Sequence, residues 1–352
     1  MTRQSSQIGR QIDGAELREV SGGTFAYLQR NGSWGWSNAG LVTSRGDAML
    51  VDTLYDLNLT RRMLDAMRRR TPDASNIETV VNTHANGDHC WGNQLVGGAE
   101  IIASRRAADE MRDLSPALMK TLVRASRLAV AAGQGARWAT NLLARIGIAR
   151  ATSFADAARF VVDKFGAFDF EGIELSLPTT TFDGALAVRV GDKDAHLIEV
   201  GPAHTRGDVI VHVPSDRVVF SGDILFIGSH PILWEGPVEN WIAACDRILA
   251  LDVDTIVPGH GPVTDKAGVR LVKEYWVYLL AEARDRFEAG MSAHEAARDI
   301  ALDGFSGWLD AERVAVNVDT IYRDLSGDRS RLDPLEGLAR MALLLEERRR
   351  TV

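Results

Sequence analysis

The chain has 352 residues, 45% of them hydrophobic and 25% charged, so a sizeable core can be buried and global disorder is excluded. A formal charge of −8 argues against a nucleic-acid surface, which needs clustered Lys and Arg to displace counterions from phosphates. The first twenty residues hold no apolar stretch fit for a signal or a membrane span, and two cysteines, Cys90 and Cys245, are too few for a disulfide scaffold; a soluble, cytoplasmic protein without membrane contact is expected.

In chain order, Thr24 to Leu28, Ala39 to Ser44 and Ala48 to Val51 read as strands separated by turn-rich pieces, the signature of an antiparallel opening. Leu57, Leu59, Met63, Leu64 and Met67 recur at helical spacing over residues 57–70, and the short β-branched run Thr79 to Asn82 follows. A stretch rich in Ala, Leu, Arg and Met runs from about 104 to 151, broken near Pro116 and at Gly133-Gln134-Gly135, and predicts an inserted subdomain of two or three helices. Strands resume at Ala187 to Val190, His196 to Val200, Val209 to Val213 and Val218 to Ser221, and helical signal dominates from Lys266 onward. The expected organisation is a catalytic domain over 1–265 that includes the insert, followed by a helical extension over 266–352.

The run T-H-A-N-G-D-H-C, Thr83 to Cys90, comes directly after a strand, where side chains leave the ladder and can converge. It offers His84, Asp88 and His89 within six residues, and imidazole and carboxylate are ligands suited to zinc or iron. Three later strand ends each deliver one more ligand-type residue: His204 in G-P-A-H-T-R-G-D, Asp223 in V-V-F-S-G-D, and His260 in D-T-I-V-P-G-H-G-P. A lone His or Asp at a strand end is commonly a turn former. Four such sites in one chain, three of them beside glycines that let the backbone turn, are hard to obtain by chance.

The order and content of these motifs resemble the metallo-β-lactamase superfamily, whose signature is a His-x-His-x-Asp-His loop followed by single His, Asp and His ligands. The resemblance spans roughly Thr24 to Pro262 and implies an α/β fold, a four-layer αβ/βα sandwich with metals at one edge. It further implies His84 and His204 at a first metal position, Asp88, His89 and His260 at a second, Asp223 bridging, and Asp52 supporting the ligands from behind. Asn86 stands where the signature has its second histidine. An amide oxygen is a weaker zinc donor than imidazole, so the expectation is one firmly held zinc with a second weak or absent; iron and manganese also suit such a ligand set.

A bound divalent metal lowers the pKa of its water to about 7, and Asp88 would pass a proton to the leaving group while His84 relays protons if the first position is empty. Trp34 and Trp36, in the loop between the first two strands, together with His230 and Trp234, are expected to flank the substrate, whereas Trp241 on a helix reads as core and Cys90 as a small buried filler. The function expected is hydrolysis of a small-molecule ester, lactone, thioester or amide. Iron-dependent oxidoreduction, hydrolytic dehalogenation and a binding protein with a degenerate site are the alternatives. The insert is expected to cover the cleft or to form a homodimer contact, and the extension to scaffold the core through a stripe of Leu271, Tyr275, Tyr278 and Leu279 without contributing catalytic residues.

Overall fold

The computed structural model describes residues 14–29, 32–113, 115–132 and 154–351. A seven-stranded sheet comprises, in spatial order, β1 (Glu16–Ser21), β2 (Thr24–Leu28), β3 (Ala39–Ser44), β4 (Asp47–Val51), β5 (Ile77–Val81), β6 (Glu100–Ser104) and β7 (Thr180–Phe182). The first four strands pair antiparallel, and β4 through β7 pair parallel. A five-stranded sheet runs β12 (Thr255–Val257), β11 (Val218–Phe220), β10 (Val209–Val213), β9 (Lys193–Glu199) and β8 (Ala185–Val190), with only β11 and β12 parallel.

Alternation along the strands separates two cores. In β2, Ala26 and Leu28 join Val42, Met49, Val51, Val81, Val211 and Phe220 in a purely apolar layer between the sheets. Phe25 and Tyr27 face the other way, into the layer that also holds the helices. Strands buried on both faces need apolar residues at every position, which is why β2 to β4 and β10 read as near-continuous hydrophobic runs. Gly40 illustrates the tightness between the sheets, since any Cβ there would collide with the Phe220 ring. Helix α1 (Leu57–Arg70) buries Leu57, Leu59, Met63, Leu64 and Met67, the five residues its periodicity selects. Its N-terminus is capped by Asp56, whose carboxylate accepts from Leu59 N at 2.7 Å, and three arginines close its last turn, where the helix dipole favours cations.

Four segments differ from the sequence reading. β1, β6 and β7 carry no clean alternation: β1 is a half-exposed edge and β7 has three residues, so neither shows a pattern strong enough to detect. β6 ends at Ser104, which is also the N-cap of α3 (Arg105–Glu110), so strand passes to helix without a turn signal between them. The insert supplies α3 and α4 (Pro116–Ala132); the break at Gly133-Gln134-Gly135 and the remainder to Ala151 lie outside the described residues, and a further helix, α5 (Phe154–Phe165), begins beyond them.

After β12 the chain forms α7 (Lys266–Glu288), α8 (Ala293–Asp299), α9 (Val314–Ser326) and α10 (Pro334–Thr351), while α6 (Val238–Ala250) lies between β11 and β12; α2 is the one-turn helix Gly87–Cys90. The buried stripe of α7 is Val269, Val272, Tyr275, Trp276, Leu279 and Ala283; the expected Leu271 is instead 43% exposed, because a residue four before Tyr275 falls at the flank of this long helix's stripe. Trp241 is fully buried on α6 and donates from Nε1 to the carbonyl of Ile224, so it is core as expected. Among the described residues no helix is long and apolar enough to cross a membrane.

Candidate metal centre

Every expected ligand leaves the same edge of the sandwich. His84 follows β5, Asp88 and His89 sit on α2, His204 lies in the loop from β9 to β10, Asp223 follows β11 and His260 follows β12. All four imidazoles and Asp223 are buried. The glycines beside the ligands are required by close approach: Gly222 holds φ +49° against Thr83, and a Cβ at Gly259 would strike Asp223 Oδ1.

Four imidazoles converge on Asp223. Its carboxylate lies 3.1 Å from His89 Nε2, 3.3 Å from His204 Nε2, 3.4 Å from His260 Nε2 and 3.7 Å from His84 Nε2. Asp88 Oδ2 adds a contact at 3.4 Å to His260 Nε2. Two donor sets have their atoms within 4.8 Å of one another: His84, His89 and Asp223, and Asp88, His89 and His260. The second is the trio expected for the second position. The first joins His84 to His89 rather than to His204, a different partition from the one expected.

The hydrogen bonds behind the ligands fix which nitrogen faces inward. Asp52, in a left-handed backbone conformation at φ 63° just after β4, accepts from Thr83 N and Thr83 Oγ1, both at 2.7 Å. It also accepts from His89 Nδ1 at 2.9 Å. With its one hydroxyl proton given to Asp52, Thr83 Oγ1 accepts from His84 Nδ1 at 3.0 Å. His204 Nδ1 donates to the carbonyl of Ile232 at 2.7 Å. Three imidazoles therefore turn Nε2 into the site, the orientation that carboxylate and carbonyl partners impose on metal-binding histidines. Asp52 supports two of them, one through Thr83, and is buried rather than placed on a surface turn.

The charges suit a cation. Burial, with His89 and His204 alongside, lowers the His84 pKa well below the ordinary range; burial lowers that of His204 too, leaving both rings neutral. Burial opposes the ionisation of Asp223, but His260, His89 and His84 override it and hold the carboxylate well below its usual range. His84 Nε2, His89 Nε2 and Asp223 Oδ1 are buried without a hydrogen-bond partner. Buried polar atoms are rarely left so, and this convergence of imidazole and carboxylate is what a divalent metal requires.

Asn86 points into the same site. Because Nδ1 of His204 carries the proton, its Nε2 is an acceptor, and Asn86 Nδ2 donates to it at 2.8 Å. The amide occupies the lone pair His204 would offer a metal.

A cavity of about 540 Å³ opens directly on these groups. Asn86, Asp88, His204, Asp223 and His260 form its floor, and Trp34, Tyr55, Phe165, Phe226 and Trp234 much of its wall. Trp34 and Trp234 thus lie where the sequence reading put them. Trp36 does not line the cavity: it packs against Phe168 at 4.8 Å between centroids. His230 is also removed from it, enclosed between Tyr275 and Trp308. His84 lines no part of it, and its Nδ1 is engaged by Thr83. Cys90 is a buried filler, its thiol pushed well up by burial and by Asp52 and Asp88.

Three contributors escaped the sequence reading. Thr83 opens the motif, but its residue type alone signals no role beside the ligand-type side chains. Asp208, the last residue of G-P-A-H-T-R-G-D, accepts from Ala203 N, Thr205 N and Thr205 Oγ1 and so shapes the loop that carries His204. Arg313, Leu332, Leu335 and Leu338 bring the C-terminal extension into the cavity wall, and nothing in helical periodicity signals that.

A model of the metallo-beta-lactamase superfamily matches residues 32–260, and the chain belongs to that superfamily. It is 29% identical over 142 residues to the 2,4-dinitroanisole O-demethylase subunit alpha of Nocardioides sp. (strain JS1661), a match covering 40% of this chain and 38% of that one. It is 22% identical over 311 residues to the linear primary-alkylsulfatase of Pseudomonas sp. (strain ATCC 19151), covering 82% and 56%. Among solved structures, the stereoselective inverting sec-alkylsulfatase Pisa1 from Pseudomonas sp. shares the fold with a TM-score of 0.63 at 14% identity, over 93% of this chain and 54% of that one. The chain spans well under two thirds of each of these relatives.

Proposed function

We propose that this chain is a hydrolase of small, largely apolar or aromatic esters and related compounds, with zinc held at one firm position. The observation that carries the reading is the cavity, whose floor is the donor cluster and whose wall is aromatic. Concave sites of this volume, apolar with a few convergent polar groups, are the usual seats of small-molecule chemistry.

Asp88, His89, His260 and Asp223 would hold the metal, with His84 beside them. A divalent ion so held lowers the pKa of a coordinated water to about 7 and supplies a nucleophile at neutral pH. Asp88 faces the cavity, and His89 and His260 overcome the effect of its burial to keep it ionised, so it can take a proton from the attacking water and return it to the leaving group. Asn86 keeps His204 engaged, which favours one tight metal over two. The aromatic wall excludes water and grips the body of the substrate.

The test is turnover of phenyl acetate, an aliphatic ester, a thioester and an alkyl sulfate by metal-loaded protein, with elemental analysis alongside. Cleavage of at least the aryl ester is expected, with Asp88→Asn slower by about 10²- to 10⁴-fold when compared per bound metal. Full metal loading without turnover of any member would refute the reading, and bound iron rather than zinc would favour redox chemistry.

A further inference from the structure

Arg313 is 1% exposed, yet it lines the cavity, and it comes from the extension beyond the superfamily match. Its Nη1 donates to the carbonyl of His230 at 2.7 Å, and its Nη2 lies 3.3 Å from Asp310 Oδ2. The guanidinium carbon stands 4.4 Å from the ring centre of Trp34 and 5.1 Å from that of Phe226, both of which line the cavity. Its Nε is buried and has no hydrogen-bond partner. A charged donor left unpaired in a dry site is costly, and such groups call for a partner that the protein itself does not supply.

The surroundings hold this guanidinium in place. Asp310 adopts a left-handed conformation at φ 62°, uncommon for a residue with a side chain. It is kept there by Ser33 Oγ at 2.8 Å and Lys164 Nζ at 2.7 Å, while Lys164 also binds Glu312 at 2.6 Å. Glu312 in turn accepts from Trp34 Nε1 at 3.3 Å. Local backbone strain over-determined by its neighbours is a feature of binding sites. The two acids and two bases balance, so the cluster carries no net formal charge.

Geometry sets the reach. Phe226 stacks parallel on His260, with ring centres 4.9 Å apart and planes 3° from parallel. One aromatic ring therefore separates the guanidinium from a metal ligand. We infer that Arg313 is a substrate-recognition residue, and that the substrate is an aromatic compound carrying an oxygen acceptor, nitro or carboxylate, about one ring's length from the bond that is cleaved. This rests on the hydrolase reading for the bond but not for the binding.

The experiment uses holoenzyme, Arg313→Met and Arg313→Lys, each first shown to be folded and metal-loaded. Binding is measured by calorimetry with 4-nitrotoluene and p-xylene, which share shape and differ in the acceptor. Wild type should bind the nitro compound roughly ten-fold tighter, R313M should lose that preference, and R313K should keep only part of it. In turnover, the kcat/KM ratio of 4-acetoxybenzoate to phenyl acetate should fall by a similar factor in R313M. An unchanged preference in both variants would overturn the assignment while leaving the hydrolase reading intact. A preference that depends on Arg313 without turnover of either ester would sustain the subsite and refute the hydrolase.

Discussion

Asp52 shows how much one carboxylate placed behind the ligands can decide. It binds His89 directly and His84 through Thr83, so Asp52→Asn should weaken metal affinity by about 10- to 100-fold, read by chelator competition, with little change in the far-ultraviolet spectrum. Asn86 acts in the opposite sense by engaging His204 Nε2. Asn86→His should raise metal content from near one toward two per chain after equal dialysis, because imidazole is the better zinc ligand; two tightly held metals in the wild type would contradict this account. His230 answers to pH instead. Burial, with Arg313 and Arg348 nearby, lowers its pKa from 6.5 to about 4. The unfolded chain takes up a proton below pH 6.5 while the folded one resists, so stability present above that pH falls by about 3 kcal/mol as the pH drops to 4. Denaturant midpoints of wild type and His230→Phe between pH 7 and 4 should converge on acidification as the wild type loses its advantage.

At the level of elements, the site is held by joints between segments distant in sequence. Ser104 ends β6, caps α3 by accepting from Ala107 N at 3.1 Å, and donates to the carbonyl of Gly207 at 2.7 Å in the His204 loop. Ser104→Ala removes a cap and a buried bond together. A loss of about 1–2 kcal/mol is expected, with a weaker His204 contact visible as altered metal stoichiometry. Should stability remain unchanged, the joint has no energetic role. α4 contributes Met119 to the cavity wall, and α3 with the turn after it contributes Glu110 and Asp113, so part of the insert does face the cleft. Arg206 bridges Glu110 and Asp113 there, and Arg331 reaches Asp113 and Glu235 from the extension.

For the whole molecule, the extension is more than a scaffold. α9 buries nine consecutive residues from Val314 to Tyr322, and Asn317 donates to the Pro231 carbonyl and accepts from Leu233 N, tying α9 to the loop behind His204. α10 adds buried Leu338, Met341 and Leu344. Ending the chain after Gly327 would strip Leu332, Leu335 and Leu338 from the cavity. Such a truncation should lower the melting temperature and raise KM for apolar esters more than it lowers kcat; unchanged KM would show that this wall does not touch substrate.

The ligand set, the strands that carry it and the helix Leu57–Arg70 were legible in the sequence because each rests on local information: residue types at strand ends, alternation, and helical spacing. β6 and β7 were not, since short strands in a parallel sheet are specified by neighbours far along the chain. The same holds for the cavity. Which of Trp34 and Trp36 faces it, whether His84 groups with His204 or with His89, and where Arg313 comes to rest depend on loops packing against elements far along the chain, as Trp34 does with Glu312 across a separation of 278. Sequence spacing decides what chemistry is available at each strand end; only the closure of two sheets and the C-terminal helices around that edge decides which atoms meet.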